Sequence, residues 1–517
     1  MKQVKFLLAT IIIFFIIGCS SQKHTQSSSK AVYQFNKQAE KTYFNILQLN
    51  DVYEIAPIQG GKFGGMARVE TVHQNLLKEN KNTMLVLAGD FLNPSLIGTM
   101  KVDGSRVKGK QMVEVMNAMN FDFVAFGNHE LDLSYNSLQE RLNESNFDWI
   151  SSNVLHNKEG KHYYFQKIIN GKKENLEDSY IKEYLNPDGS ILKVGFISAC
   201  IPSNPKSYVY YGDVYEEIKR AYREIKDKVD VVIGLTHLTI EQDKKVAELL
   251  PNVHLIMGGH EHTNSYDKVG NVVITKADAN AKTVYIHRFE YDSATKKIQL
   301  KSELKEINNK IPKDKKVGVI VDKWQNILKN KIQDIVSNPY EIIYKTKIPL
   351  EARETPIRSE QTSMGEIIAK AMSFSYDDTV DCALVNGGSI RIDDRLFGKI
   401  SVIDIFRVLP YGGAVLKVDI KGGLLKEVLE YGQNAIGTGA YLQRYNASKK
   451  QDKWIIGTNV IDENKIYKVA FSDYLLKGLD IPMLNEKNNN VLSVYKPKNS
   501  ELTFDIRKAV ISYLKKQ

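Results

Sequence analysis

The chain is 517 residues long, 43% hydrophobic and 26% charged, with a formal net charge of +10. That length excludes one ordinary small domain and supplies apolar material for two cores. The lysines behind the positive charge are scattered and no nucleic-acid-binding motif accompanies them, so no nucleic-acid partner is expected; the three cysteines show no CxxC spacing, which argues against a zinc knot or a disulfide framework.

The N-terminal MKQVKF carries two lysines and leads into LLATIIIFFII, which stops at Ile16-Ile17-Gly18-Cys19. This apolar run is shorter than the roughly 20 residues that cross a membrane, and a small residue before Cys suits cleavage and lipid transfer. Residues 1–19 are therefore expected to be a lipoprotein signal, with Cys19 lipidated and the rest exported and anchored to a bacterial membrane on an unspecified face. An uncleaved single-span anchor is the other reading, and it too exports the chain. Residues 20–40 are polar and read as a flexible tether.

From Tyr43 to about residue 290, short apolar runs alternate with amphipathic stretches, the pattern of an α/β layered domain assigned here to 41–305. Residues 66, 69, 72, 76 and 77, for example, are apolar at helical spacing. Five apolar runs each end on a possible ligand: YFNILQL on Asn50-Asp51, TMLVLA on Gly89-Asp90, DFVAF on Gly127-Asn128-His129-Glu130, VVIGL on Thr236-His237, and VHLIM on Gly258-Gly259-His260-Glu261-His262. Loops beyond strand ends converge in layered α/β proteins, and mixed oxygen and imidazole donors fit manganese, zinc or iron better than calcium or magnesium.

In this order the five blocks resemble the calcineurin-like metallophosphoesterases, and among them the 5′-nucleotidase and UDP-sugar hydrolase branch. The resemblance implies a four-layer αββα sandwich and two divalent metal ions. Asp90 would bridge them, with Asn128, His237 and His260 completing one site and Asp51 and His262 the other. Such an ion pair polarises a phosphoryl oxygen and activates water. His129 and Asp132 match the family's catalytic dyad, the carboxylate orienting the imidazole. One departure stands out: where the family reads Asp-x-His, this chain reads Asp51-Val52-Tyr53, and a phenol with a solution pKa of about 10 is a poor ligand.

Residues 306–338 read as a linker followed by a helix, with Val317, Ile320, Trp324, Ile327, Leu328, Ile332 and Ile335 at helical spacing. The segment 339–517 holds its own helices (TSMGEIIAKAM, SVIDIFRVL) and strand (DCALVN), enough for a separate α/β domain. NGGSIR, from Asn386 to Arg391, resembles the NGGGIR block of the 5′-nucleotidase C-terminal domain, and RSEQTSMGE from Arg358 resembles another block. By that resemblance Arg358 and Arg391 contact phosphate, Tyr411 and Tyr474 sandwich a nucleobase, and Asp480 contacts sugar or base within the altered stretch KGLDIPM. The expected activity is hydrolysis of extracytoplasmic nucleotides of the 5′-nucleotidase type. UDP-sugars or 2′,3′-cyclic nucleotides are alternative substrates, and a nucleotide-binding lipoprotein without turnover is the alternative of another class. Oligomeric state is not legible.

Overall fold

The computed structural model describes residues 41–203 and 206–517; the expected signal, Cys19 and tether lie outside the described residues. Two six-stranded sheets organise the N-terminal part. The first runs Lys297–Glu306, Thr283–Asp292, Lys41–Leu49, Thr83–Ala88, Phe123–Ala125, Asp148–Ile150, and the second Ser179–Leu185, Ile191–Ile197, Val231–Thr236, Leu255–Gly258, Val272–Lys276, Ser265–Val269.

Side chains alternate across these strands, as the period of two requires. Phe44, Ile46, Val86 and Phe123 of the first sheet meet Phe196, Ile233, Leu255 and Met257 of the second in one buried layer. The opposite faces carry Leu47 and Leu85 in one sheet and Ile197, Val232 and Ile256 in the other, each packed under helices. Met66–Glu79 and Lys110–Met119 cover the first sheet, Val214–Ile225 and Ile240–Leu249 the second. The result is the αββα sandwich.

A buried polar bridge ties the two sheets together near the loops that matter. Gln48 donates to the carbonyls of Gly258 (3.2 Å) and Thr275 (3.0 Å), and His287 Nε2 lies 2.9 Å from Gln48 Oε1. Burial pushes His287 down to about 3, so the ring is neutral. A network whose members all find partners specifies one register, because any slip would strand buried polar atoms.

The expected helix after the sandwich is Lys315–Gln333, capped by Asp314, whose side chain accepts from the Val317 amide. It buries Val317, Val321, Trp324, Leu328 and Ile332 against Met66–Glu79 and Lys110–Met119, while Trp324 donates to Glu114 at 2.9 Å. The apolar cluster it joins continues into Leu350, Met364 and Ile403, so Glu40–Gln517 forms one compact unit.

Beyond it stands a five-stranded sheet ordered Leu442–Tyr445, Cys382–Asn386, Ile466–Ser472, Val415–Lys421, Val491–Tyr495. Ala383 and Val385 face one cluster, Cys382 and Leu384 another under helix Gly422–Asn434. Ser401 begins its helix in a capping box with Asp404. Cys200 and Cys382 are buried free thiols. No helix among the described residues is long and apolar enough to cross a membrane.

Candidate metal centre and substrate cavity

The strands that end on Asp51, Asp90 and Asn128 are parallel neighbours in the first sheet, and those ending on His237 and His260 are parallel neighbours in the second. Their C-terminal ends therefore deliver the ligating side chains to one edge of the sandwich. Tight turns do the aiming. Asp51 (φ 52°), Asp90 (φ 61°) and His260 (φ 80°) all adopt left-handed backbone, uncommon for such residues and concentrated at functional sites. Gly127 has no alternative: a Cβ there would lie 2.1 Å from Asp90 Oδ1.

The side chains converge. Asp90 Oδ2 is 3.1 Å from His237 Nε2, which also lies 3.1 Å from Asn128 Oδ1. His237 Nδ1 donates to the Ala88 carbonyl at 2.8 Å, which fixes the tautomer and turns Nε2 toward the carboxylates. Asp51 Oδ2 accepts from Asn50 and from the His260 amide, whereas Asp51 Oδ1 is buried without a hydrogen-bond partner, 3.4 Å from His262 Nε2. A buried carboxylate oxygen left unsatisfied among imidazoles fits a cation, and Asp51, Asp90 and His237 bring their ligand atoms within 4.8 Å of one another.

Electrostatics agree with that reading. Burial opposes charge on His237, but Asp90 and Asp51 raise it to about 9; burial and the neighbouring His237 push His260 down to about 3. Burial works against the Asp51 carboxyl, yet His262 and His237 hold it below the ordinary carboxylate range. Tyr53, whose phenol is pushed well above 10 by burial and by Asp90, stays neutral, with its hydroxyl 3.3 Å from Asp90 Oδ2 and 3.1 Å from His262 Nε2.

His129 immediately precedes, and Asp132 ends, the 3-10 turn Glu130–Asp132, and their side chains meet at 2.8 Å through Nδ1. Burial disfavours the imidazolium, but Glu354, Asp90 and Asp132 together raise His129 well above its usual value. Asp132 also receives Arg391 at 3.1 Å and Asn93 at 3.1 Å. The C-terminal part thus touches the dyad directly.

All six expected substrate residues, Arg358, Asn386, Arg391, Tyr411, Tyr474 and Asp480, line one cavity of about 830 Å³, together with Asp132 and Asn93. Asn386 and Tyr474 donate to the two carboxylate oxygens of Asp480, at 2.8 and 3.0 Å, so Asp480 is held in place despite its altered surroundings. Tyr411 and Tyr474 remain 54% and 37% exposed, and the Lys477 ammonium lies 5.8 Å from the centre of the Tyr474 ring. A second cavity of about 1130 Å³ is lined by Asp90, Asn128, His129, His260 and His262, and Arg358 borders both.

Residues 44–264 match the calcineurin-like phosphoesterase family, and residues 342–486 match the 5′-nucleotidase C-terminal domain. The chain belongs to the 5′-nucleotidase-type metallophosphoesterases. It is 26% identical over 473 residues to a human 5′-nucleotidase, covering 81% of this chain and 78% of the relative, and 26% identical over 502 residues to a 5′-nucleotidase of Naja atra venom, covering 84% and 90%. The crystal structure of a 5′-nucleotidase precursor from Thermus thermophilus superposes with a TM-score of 0.65 at 21% identity, over 92% of this chain and 96% of that one. A sulfate thiohydrolase from the same organism shares the fold with a TM-score of 0.62 at 15% identity, over 94% and 95%. The phosphoesterase is a phosphoester hydrolase, and its family uses divalent metals.

Four residues of this phosphoesterase escaped sequence reasoning. Glu130 accepts from the amides of Asp90, Phe91, Leu92 and Gly127, tying the two ligand turns together; its place after His129 in the Gly127-Asn128-His129-Glu130 block was the available signal. Glu354 and Asp393, from the C-terminal part, approach His129 and His262, and only the tertiary fold brings them there. Lys276, fully buried, pairs with Asp243 at 2.9 Å and with Glu261, and donates to the Leu238 and Gly259 carbonyls beside His237 and His260.

Replacing Lys276 with Met should cost about 3 kcal/mol, because Asp243 is left buried and unpaired. Chemical denaturation would read that loss, and manganese affinity should fall with it. Stability within ~0.5 kcal/mol of wild type would show that Lys276 does not hold the loop.

Proposed function

We propose that this phosphoesterase hydrolyses nucleotide phosphate esters, with two divalent ions held by Asp51, Asp90, Asn128, His237, His260 and His262. Bound there, the ions supply electrophilic activation of the phosphoryl group and of water. His129, oriented by Asp132 through Nδ1, holds a proton at Nε2 for the developing charge on the phosphoryl or leaving oxygen. Arg391 and Arg358 supply fork-shaped donors for phosphate oxygens, as is usual for guanidinium groups. Tyr411 and Tyr474 take the base, and Asp480 and Asn386 its sugar or polar edge. The observation that carries this reading is that Asp132, Arg391, the two tyrosines and Asp480 all line one cavity. It offers phosphate-binding and aromatic groups to one ligand.

Export is part of the proposal, resting on the N-terminal sequence: a lipid anchor at Cys19 would place the enzyme outside the cytoplasm, where nucleotides are salvaged without draining internal pools. Unchanged growth on external AMP as phosphate source after deletion of the gene would refute that role.

The direct test is phosphate release from AMP, UDP-glucose and 2′,3′-cyclic AMP, with manganese and with chelator. Manganese-dependent release, greatest from AMP, is expected. Tyr474→Ala should weaken AMP use through KM by about 1–3 kcal/mol, or roughly 5- to 150-fold, while release from a simple phosphate ester changes little. Nucleotide binding without release under any metal would instead support a binder.

A further inference from the structure

Tyr53 leaves the Asp51 and His262 side of the metal centre one imidazole short, and the structure places another group there. Asp393, in the loop that follows Arg391, is buried and adopts left-handed backbone (φ 46°), which aspartate tolerates better than most residues. Its Oδ1 accepts from the Glu354 amide at 2.6 Å, which fixes the side chain. Its Oδ2 lies 3.2 Å from His262 Nε2 and 3.9 Å from His129 Nε2. Its carbonyl meanwhile accepts from His262 Nδ1, orienting the ring as backbone carbonyls orient ligating histidines. Asp51 Oδ1, the oxygen without a hydrogen-bond partner, flanks the same Nε2 at 3.4 Å.

We propose that Asp393 is a protein ligand of the divalent ion held by Asp51 and His262, supplying from the C-terminal part the donor that Tyr53 does not. This rests on the metal reading of the site given above. Two consequences follow from the donor chemistry. Exchanging imidazole for carboxylate makes this side of the centre oxygen-rich, which favours manganese over softer ions. And because the ligands then come from both parts of the chain, metal binding on this side depends on the packing of the C-terminal part against the sandwich.

The experiment is manganese binding by calorimetry to the chelator-stripped full chain, comparing wild type, Asp393→Asn, Tyr53→His and the double variant, each melted in chelator to establish folding. Wild type is expected to take two ions; Asp393→Asn should bind one of them at least about 10-fold more weakly. Adding Tyr53→His to Asp393→Asn should recover most of that affinity. A second measurement needs no variant: amide exchange in the segment 391–394 of wild type should slow when manganese is added. Unchanged affinity in Asp393→Asn, or unchanged exchange in that segment, overturns the proposal. So does increased phosphate release by Asp393→Asn at unchanged affinity, which would make Asp393 an occluding group. Two ions bound as described with no nucleotide hydrolysed would instead defeat the functional reading while leaving this one standing.

Discussion

Asp90→Asn should lower metal-dependent phosphate release by on the order of 10³-fold or more, with the chain still folded. The carboxylate stands where the two halves of the centre meet: Oδ2 faces His237 and Tyr53, and Oδ1 accepts from the His129 amide at 2.8 Å. An amide keeps the shape and one acceptor oxygen, so the turn survives, but it removes the charge that would hold two cations close together in the proposed centre. Steady-state phosphate release with excess manganese, beside the melting curve in chelator, separates the two effects. Release within about 10-fold of wild type would show that the cluster is not the hydrolytic centre.

The second large effect is structural. Glu130 is fully buried and accepts from four backbone amides at 2.7–3.0 Å, those of Asp90, Phe91, Leu92 and Gly127. Burial and Asp90 raise its carboxyl to about 7, against the pull of those amides. Glu130→Ala strands four buried donors, each worth about 1–3 kcal/mol when unsatisfied, so a loss above ~4 kcal/mol is expected even after relaxation. Denaturant unfolding monitored by circular dichroism measures it. Activity should disappear with the geometry of Asp90 and Asn128. A loss below ~1 kcal/mol would mean that water replaces the carboxylate, and that Glu130 does not organise the turns.

How much of this was legible beforehand depended on the range of the interaction. The strand runs before Asp51, Asp90, Asn128, His237 and His260 are local patterns of apolar residues with polar ends, and each is the strand it was expected to be. His129 and Asp132 share one turn, so their pairing is also a short-range event. Helix Lys315–Gln333 follows from its apolar period, and Ser401 from its cap. The two sheets' facing layers, by contrast, pair residues such as Phe44 and Tyr184, whose rings stack at 5.1 Å although they lie far apart in the chain.

The sequence by itself determined the element types, the order of the ligand-bearing loops and the chemical kinds of donor, because backbone periodicity and side-chain identity are local properties. It also exposed Tyr53 as the odd residue in its block. Only the tertiary structure decided which groups stand near it. Asp393 and Glu354 reach His262 and His129 because the C-terminal part packs against the sandwich, and Lys276 reaches Asp243 and Glu261 only because the strand that carries it lies beside the one ending at Gly258. Such contacts join residues whose neighbours in sequence carry no trace of the partner, since their energy is gained only after two separately formed surfaces have met.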